Sequence, residues 1–336
     1  MLFNFFHGAV AVGLRGYLLN AIFAMAVSIA FLLYSAPSMV AYFLAAYTNH
    51  KLPLREYRQL VSACSRAVAS VNWIPFKTGK TQLYMNLSLA QRTLGDYSAA
   101  ETSARLAIAN SASGLSSYSR LVRFVATMYL GAVLRAQGKF DAASAEFAKA
   151  MLEIEAPSNL SPLWTAWMHM AFGGLALDTN RLSEAVTELK TALQDLELAR
   201  SPWGYPHVRR EYRAWCLLPL ALAHAERGDI SSSKEAWQTA VCAIRDDPTV
   251  TDPDWISWLI RLAACYIDYG DYFLAEQPLQ LAYSLVRDVP THPSCNQVLD
   301  SFEKLLLITD RASDISDMRS WLLPEPDSFD LVQIMK

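Results

Sequence analysis

Fourteen residues set the architecture of this chain: Leu87-Ser-Leu-Ala-Gln-Arg-Thr-Leu-Gly95-Asp-Tyr-Ser-Ala-Ala100. A helical pattern stops at Gly95, because glycine best adopts the left-handed backbone conformation that ends a helix, and a second helical pattern starts at Tyr97. The same kind of turn, a Gly or Asn followed by a polar and then an apolar residue, occurs five times. The copies are Gly95-Asp96-Tyr97, Gly138-Lys139-Phe140, Asn180-Arg181-Leu182, Gly228-Asp229-Ile230 and Gly270-Asp271-Tyr272.

Small residues recur at fixed distances from each turn. One stands seven residues before the Gly or Asn, a second five residues after it, and an alanine twelve residues after it. Small side chains let two helices approach closely, so the pattern predicts five pairs of tightly packed helices. The three sets are Ser88, Gly131, Gly173, Ala221 and Ala263; Ala100, Ala143, Ala185, Ser233 and Ala275; and Ala107, Ala150, Ala192, Ala240 and Ala282.

These positions together resemble the tetratricopeptide repeat (TPR), and the match covers roughly residues 81–290. The turns are 43, 42, 48 and 42 residues apart, which resembles the long variety of about 42 residues seen in several adaptor and peptide-sensing proteins rather than the usual ~34. The resemblance implies an all-α, right-handed α-solenoid of tandem helix-turn-helix repeats. It divides the chain into an opening helix and loop (51–80), five TPR-like repeats (81–296), C-terminal capping helices (297–323) and a tail (324–336).

The charged residues are distributed unevenly. The chain has 29 basic and 32 acidic residues, but residues 1–50 contain only Arg15. Nothing after residue 50 is long and apolar enough for further membrane spans, and the aromatic content is too high for a disordered chain. The net charge of −3 gives no reason to expect a nucleic acid partner.

The N-terminal segment predicts one transmembrane helix. Residues 16–50 contain no Asp, Glu, Lys or Arg, and a helix over about residues 17–36, extending up to 47, would cross the ~30 Å of hydrocarbon. Lys51, Arg55 and Arg58 follow the span, which predicts a single-pass membrane protein whose repeats face the cytoplasm. A cleaved signal peptide is the alternative, although the apolar stretch exceeds the usual ~7–15 residues.

The sequence contains no catalytic or metal-binding constellation. Lys77-Thr-Gly-Lys-Thr81 ends like a phosphate-binding loop, but Ile74 stands where that loop requires glycine, so a connecting loop is the better interpretation. His169 and His224 lie on first helices and have no partner at ligand spacing. We therefore expect no enzyme activity, no cofactor, no metal and no small-molecule substrate.

The resemblance also places a partner-binding groove, because first helices line the concave face in TPR proteins. The positions nearest the start of these helices form an apolar strip rich in Met and Trp, while those nearest the end supply arginines in the early repeats and acids in the later ones. The predicted groove residues are Met85, Arg92, Met128, Arg135, Trp167, Met170, Asp178, Trp215, Leu218, Leu222, Glu226, Ile260 and Asp268.

The predicted function is that of a membrane-tethered, non-catalytic scaffold or assembly factor. Its groove would hold an apolar or amphipathic segment of a protein or peptide partner, expected to be membrane-associated, with the acidic half selecting a basic end. One alternative is a peptide-responsive sensor whose solenoid changes curvature on binding. Another is that the strip is covered by the chain's own tail, its opening helix or a second subunit.

Overall fold

The computed structural model describes residues 57–71, 77–111, 117–154, 162–199, 206–246, 255–288 and 292–315. These ranges hold twelve α-helices and no β-strand. The helices are α1 (Tyr57–Val71), α2 (Lys77–Thr93), α3 (Tyr97–Asn110), α4 (Ser117–Ala136), α5 (Phe140–Ile154), α6 (Pro162–Asp178), α7 (Leu182–Leu198), α8 (Pro206–Glu226), α9 (Ile230–Asp246), α10 (Ile256–Asp268), α11 (Tyr272–Asp288) and α12 (Cys295–Ile308).

The predicted all-α repeat architecture is confirmed. The five turns join α2 to α3, α4 to α5, α6 to α7, α8 to α9 and α10 to α11, and the members of each pair pack on each other. Helix α1 packs on α2, and α12 packs on α10 and α11. We call α2, α4, α6, α8 and α10 the first helices, and the surface that they share the inner face.

All five turns use the same backbone geometry. The Gly or Asn N–H donates to the carbonyl three residues earlier, and the next N–H donates to the carbonyl five residues earlier, which satisfies the last carbonyls of the first helix. This arrangement requires a positive φ at the first turn residue. The measured values are 79° at Gly95, 73° at Gly138, 59° at Asn180, 82° at Gly228 and 76° at Gly270.

The small residues lie where paired helices touch, as predicted. All members of the three sets are buried. At Gly131 the contact is so close that an added Cβ would lie 2.4 Å from Cε1 of Phe147 on α5. In the first repeat Ser88 takes the place of Gly131, Ala104 replaces the phenyl ring, and the Ser88 hydroxyl donates to the Ala100 carbonyl at 2.9 Å. In these two repeats, the residues that face each other on the paired helices are therefore matched in size.

Ion pairs join the turns of successive repeats at three places. The residue after the turn glycine, or its equivalent, pairs with the residue six positions after the preceding one. Lys139 lies 2.9 Å from Glu101, Asp271 lies 2.7 Å from Lys234, and Arg311 lies 3.0 Å from Glu276. The hydrogen bond from Lys139, followed by that from Arg105, lowers the pKa of Glu101 to about 2.

The chain also brings distant repeats into contact. A side chain at Gly95, in the first turn, would meet Cδ of Pro293 at 2.5 Å, so this turn lies against the start of α12. Tyr57 of α1 and Leu94 pack against the large core cluster that extends from the third repeat to α12. The first and last parts of the described chain are therefore neighbours.

The ends of the repeat region differ in detail from the prediction. Helix α2 begins at Lys77, so the string Lys77–Thr81 starts a helix instead of forming a loop. Helix α12 begins at Cys295 and ends in a sixth turn of the same type, with Asp310 at φ 56°. The sequence signal was weak there because Asp occupies the glycine position.

The predicted single-pass membrane location is corrected by the structure. Among the described residues no helix is both long and apolar enough to cross a bilayer. Helix α6 is uncharged over most of its length, but it has only 17 residues, whereas a membrane span needs ~20. The segment 17–36 and the tail 324–336 lie outside the described residues.

We expect Gly131→Ala to destabilise the fold by about 1–3 kcal/mol, because the new methyl group must displace the Phe147 ring. Urea unfolding followed by circular dichroism measures this. Phe147→Leu in the same chain should restore part of the loss, and equal effects of the glycine substitution with and without Phe147 would contradict the assigned contact.

The Glu101 pairing predicts a specific acid dependence. The pKa of this carboxyl falls from 4.5 to about 2 on folding, so its stabilisation is present above about pH 4.5 and is lost as the pH falls toward 2. Glu101→Gln should flatten this part of the pH–stability curve, with a difference at neutral pH below about 1 kcal/mol because the pair is exposed. Lys139→Met should produce part of the same change, and unaltered slopes in both variants would contradict the pairing.

Candidate functional site

Most apolar members of the predicted groove lie inside the protein. They occupy positions ten or six residues before the turn, where each side chain packs against neighbouring helices. None is more than 6% exposed; the residues are Met85, Met128, Met170, Leu218 and Leu222.

The remaining apolar groove residues are half-buried. Trp167 makes edge-to-face contacts with Phe124 and Tyr129 at centroid distances of 5.8 and 5.9 Å. Trp215 makes a similar contact with Trp255 at 5.9 Å, and Ile260 packs against the core. These rings are engaged within the protein, so the Met and Trp strip is not an open groove in this structure.

The inner face folds onto itself at its polar positions, where the fifth repeat contacts the second and third. Trp258 of α10 lies under the guanidinium of Arg135 from α4, with 4.8 Å between the Arg135 Cζ and the ring centroid. The same indole Nε1 donates to Asp178 Oδ1 of α6 at 2.9 Å. Gly174 leaves the space for this contact, since a side chain there would collide with Arg135 and approach Trp258.

The predicted polar residues fall into two registers. Arg92 and Arg135 stand three residues before their turn residue, whereas Asp178, Glu226 and Asp268 stand two residues before theirs. One residue is a rotation of about 100° on a helix. Arg92 is accordingly only 4% exposed, while Asp268 at the other end of the row is exposed.

The structure brings Arg135, Asp178 and Glu226 together through a residue that the sequence did not single out. Arg261 of α10 donates from Nε and Nη2 to the two carboxylate oxygens of Glu226, both at 2.8 Å. Its Nη1 donates to Asp178 Oδ1 at 3.2 Å, and Nη2 also approaches the Leu177 carbonyl at 3.3 Å. Arg135 Nε lies 3.7 Å from Asp178 Oδ2. First helices from four consecutive repeats thus share one charged network.

An open cleft of about 520 Å³ lies beside this network. Its walls come from the ends of α6, α8 and α10 and from two of the turn segments. We call it the acidic cleft; it is lined by Leu177, Asp178, Asn180, Ala225, Glu226, Arg261, Cys265, Asp268 and Tyr269.

The electrostatics of the acidic cleft are dominated by negative groups. Asp178, Glu226 and Asp268 are the last residues of α6, α8 and α10, where the partial negative charge of the helix end adds to that of the carboxylate. Burial first, and then the charges of Glu226 and Asp268, raise the pKa of the Cys265 thiol to about 11 against the opposing effect of Arg261. The cleft therefore disfavours a thiolate and favours a cation.

The described ranges show no metal site. No group of three or more His, Cys, Asp or Glu side chains is arranged to hold a metal ion there. His169 pairs with Glu188 at 2.6 Å, between α6 and α7, and is not part of the acidic cleft. The arrangement is suited to binding by charge and hydrogen bonds.

Sequence reasoning missed Arg261, Trp258, Asn180 and Tyr269 as site residues. Arg261 carried a usable signal: it stands nine residues before its turn residue, where the other four repeats have Asn86, Tyr129, Ala171 and Pro219. An arginine only in the fifth repeat is not required by the shared packing pattern. Its target carboxylates in the third and fourth repeats could not be identified without the curvature of the array.

The fold and the inner face define a TPR-like helical-repeat protein. No protein-family model and no curated protein matches the chain. A crystal structure of the apo form of RapI matches 84% of this chain and 98% of its own, with a TM-score of 0.55 and 13% identity. A Rap protein complexed with Competence and Sporulation Factor matches 84% of this chain and 76% of its own, with a TM-score of 0.53 and 12% identity. Likenesses at such low identity show the fold alone.

We expect Asp178→Asn to lower the free energy of unfolding by about 1–3 kcal/mol, because the neutral amide removes an ionic partner of Arg261 and Arg135 at a largely buried position. Asp268→Asn is the matched control: it removes the same charge from the same helix position, but the residue is exposed and should be neutral or slightly stabilising. Urea unfolding of both variants measures the difference. Equal losses would contradict the role of Asp178 in the network.

Proposed function

We propose that this chain is a non-catalytic helical-repeat protein that binds a protein or peptide partner, and that the acidic cleft receives a basic group of that partner. One observation carries the proposal: three successive first helices end in carboxylates, Asp178, Glu226 and Asp268, that line one cleft. A guanidinium or ammonium group is the complementary ligand chemistry.

The position of these carboxylates supports a role in binding. Acidic residues at the last position of a helix are unfavourable by about 0.3–1 kcal/mol each, because they oppose the helix dipole. Three such residues on neighbouring helices concentrate negative potential where folding alone would favour cations. Local rules of stability tend to be broken at functional sites.

The fold supports the same class of function. The similar Rap structure was solved in complex with Competence and Sporulation Factor, so a solenoid of this shape is able to hold a ligand. We further propose that the chain belongs with the long-repeat variety, since its turns are 42 to 48 residues apart.

Between the two modes of binding, we favour a ligand-responsive regulator over a passive scaffold. The Met and Trp strip offers no open surface to an apolar or amphipathic segment, because its Met and Leu members are buried and its two tryptophans pack against aromatic neighbours. The acidic cleft, in contrast, is an open cavity whose carboxylates Asp178 and Glu226 are paired with Arg261. Binding of a basic group there would act on the same carboxylates that hold the inner face closed.

The proposal is tested with a labelled pentapeptide, Ala-Ala-Arg-Ala-Ala with blocked ends, and its citrulline counterpart, which has the same shape without the charge. We expect the arginine peptide to bind at least about fivefold more tightly, and the preference to shrink as salt rises. Fluorescence anisotropy against the full chain measures both affinities.

Two variants locate the site. Asp268→Asn should weaken binding of the arginine peptide about three- to tenfold while leaving stability unchanged or slightly higher. Glu235→Gln, an exposed acid on α9 outside the cleft, should bind as the wild type does. Equal binding of the two peptides, or equal effects of the two substitutions, would overturn the proposed function.

A further inference from the structure

We infer that Arg261 occupies the binding position for the partner's cationic group, so that it acts as an internal competitor which an incoming ligand must displace. The inference rests on the proposed function of the acidic cleft and specifies how that site is controlled.

The contacts of Arg261 are those that an arginine of a bound partner would make. Its guanidinium forms a two-pronged pair with Glu226, with both N–O distances at 2.8 Å, and reaches Asp178 at 3.2 Å. A third hydrogen bond at 3.3 Å uses the Leu177 carbonyl at the end of α6. Two carboxylates and a helix-end carbonyl form a complete guanidinium site, since planar guanidinium pairs with carboxylates in this forked geometry.

The occupant is more exposed to solvent than the carboxylates that hold it. The Arg261 side chain is 34% exposed, whereas those of Asp178 and Glu226 are each 18% exposed. The long side chain can swing into solvent without disturbing the backbone of α10. The carboxylates, in contrast, are fixed at the ends of helices, and Asp178 is also held by Trp258 and Arg135.

Displacement of Arg261 would weaken contacts between three repeats. Arg261 belongs to the fifth repeat, Glu226 to the fourth and Asp178 to the third. The guanidinium is therefore a link between three first helices, and a free ligand that replaces it neutralises the same charges without being attached to α10. Ligand binding and loosening of the inner face are coupled through this exchange.

An internal competitor lowers the apparent affinity of the ligand. The intrinsic affinity is multiplied by the fraction of molecules in which Arg261 has left the site. Removal of the competitor should therefore strengthen binding, which is the opposite of the result for an arginine that merely supports the site or contacts the ligand. An increase in affinity on removal of Arg261 indicates a competitor, and a decrease indicates a supporting or ligand-contacting residue.

The test measures binding of the blocked Ala-Ala-Arg-Ala-Ala peptide to Arg261→Gln and Arg261→Lys. We expect Arg261→Gln to bind at least about fivefold more tightly than the wild type. Arg261→Lys should show a smaller gain, because lysine keeps a positive charge but loses the fork. Thermal unfolding of both variants is followed in parallel. If the glutamine variant fails to fold, the affinity of the lysine variant is compared with that of the wild type.

The outcomes separate the inference from the proposed function. Tighter binding by the variants, lost again in Glu226→Gln/Arg261→Gln, supports both. Measurable binding by the wild type with equal or weaker binding by the Arg261 variants overturns the internal competitor and leaves the proposed function standing. No binding by any of the proteins overturns the proposed function, and the inference with it.

Discussion

The carboxylate of Asp178 joins three repeats on the inner face. It accepts a hydrogen bond from Trp258, lies within reach of Arg135 and shares Arg261 with Glu226. These partners come from the second and fifth repeats, and Arg261 extends the network to Glu226 of the fourth.

The inner face combines two opposed electrostatic tendencies. The charged network stabilises contacts between repeats, and largely buried partners such as Asp178 and Arg135 make it strong. At the same helix ends, the three carboxylates of the acidic cleft oppose the helix dipoles. A surface that joins the repeats through charge and lines an open cleft with three carboxylates against one arginine is suited to respond to an incoming cation.

Sequence reasoning succeeded for features that are determined by residues close together in the chain. Gly95 and Asn180 define their turns through the backbone of a few residues, and Gly131 meets Phe147 sixteen positions away within one repeat. These features repeat five times and could be predicted. The groove could not, because the contact between Arg135 and Trp258 spans 123 residues of sequence and depends on small rotations that accumulate over the array. A one-residue offset was enough to mistake the buried Arg92 for a surface residue.

The contact between Gly95 and Pro293 changes the mechanics of the molecule. In an ordinary repeat array each unit touches only its neighbours, so either end can fray while the middle stays folded. Here the first turn rests against the start of α12, and unfolding of either end removes contacts from the other. The linear array gains the cooperativity of a closed domain: its two ends are expected to lose structure together, although almost two hundred residues of sequence separate Gly95 from Pro293.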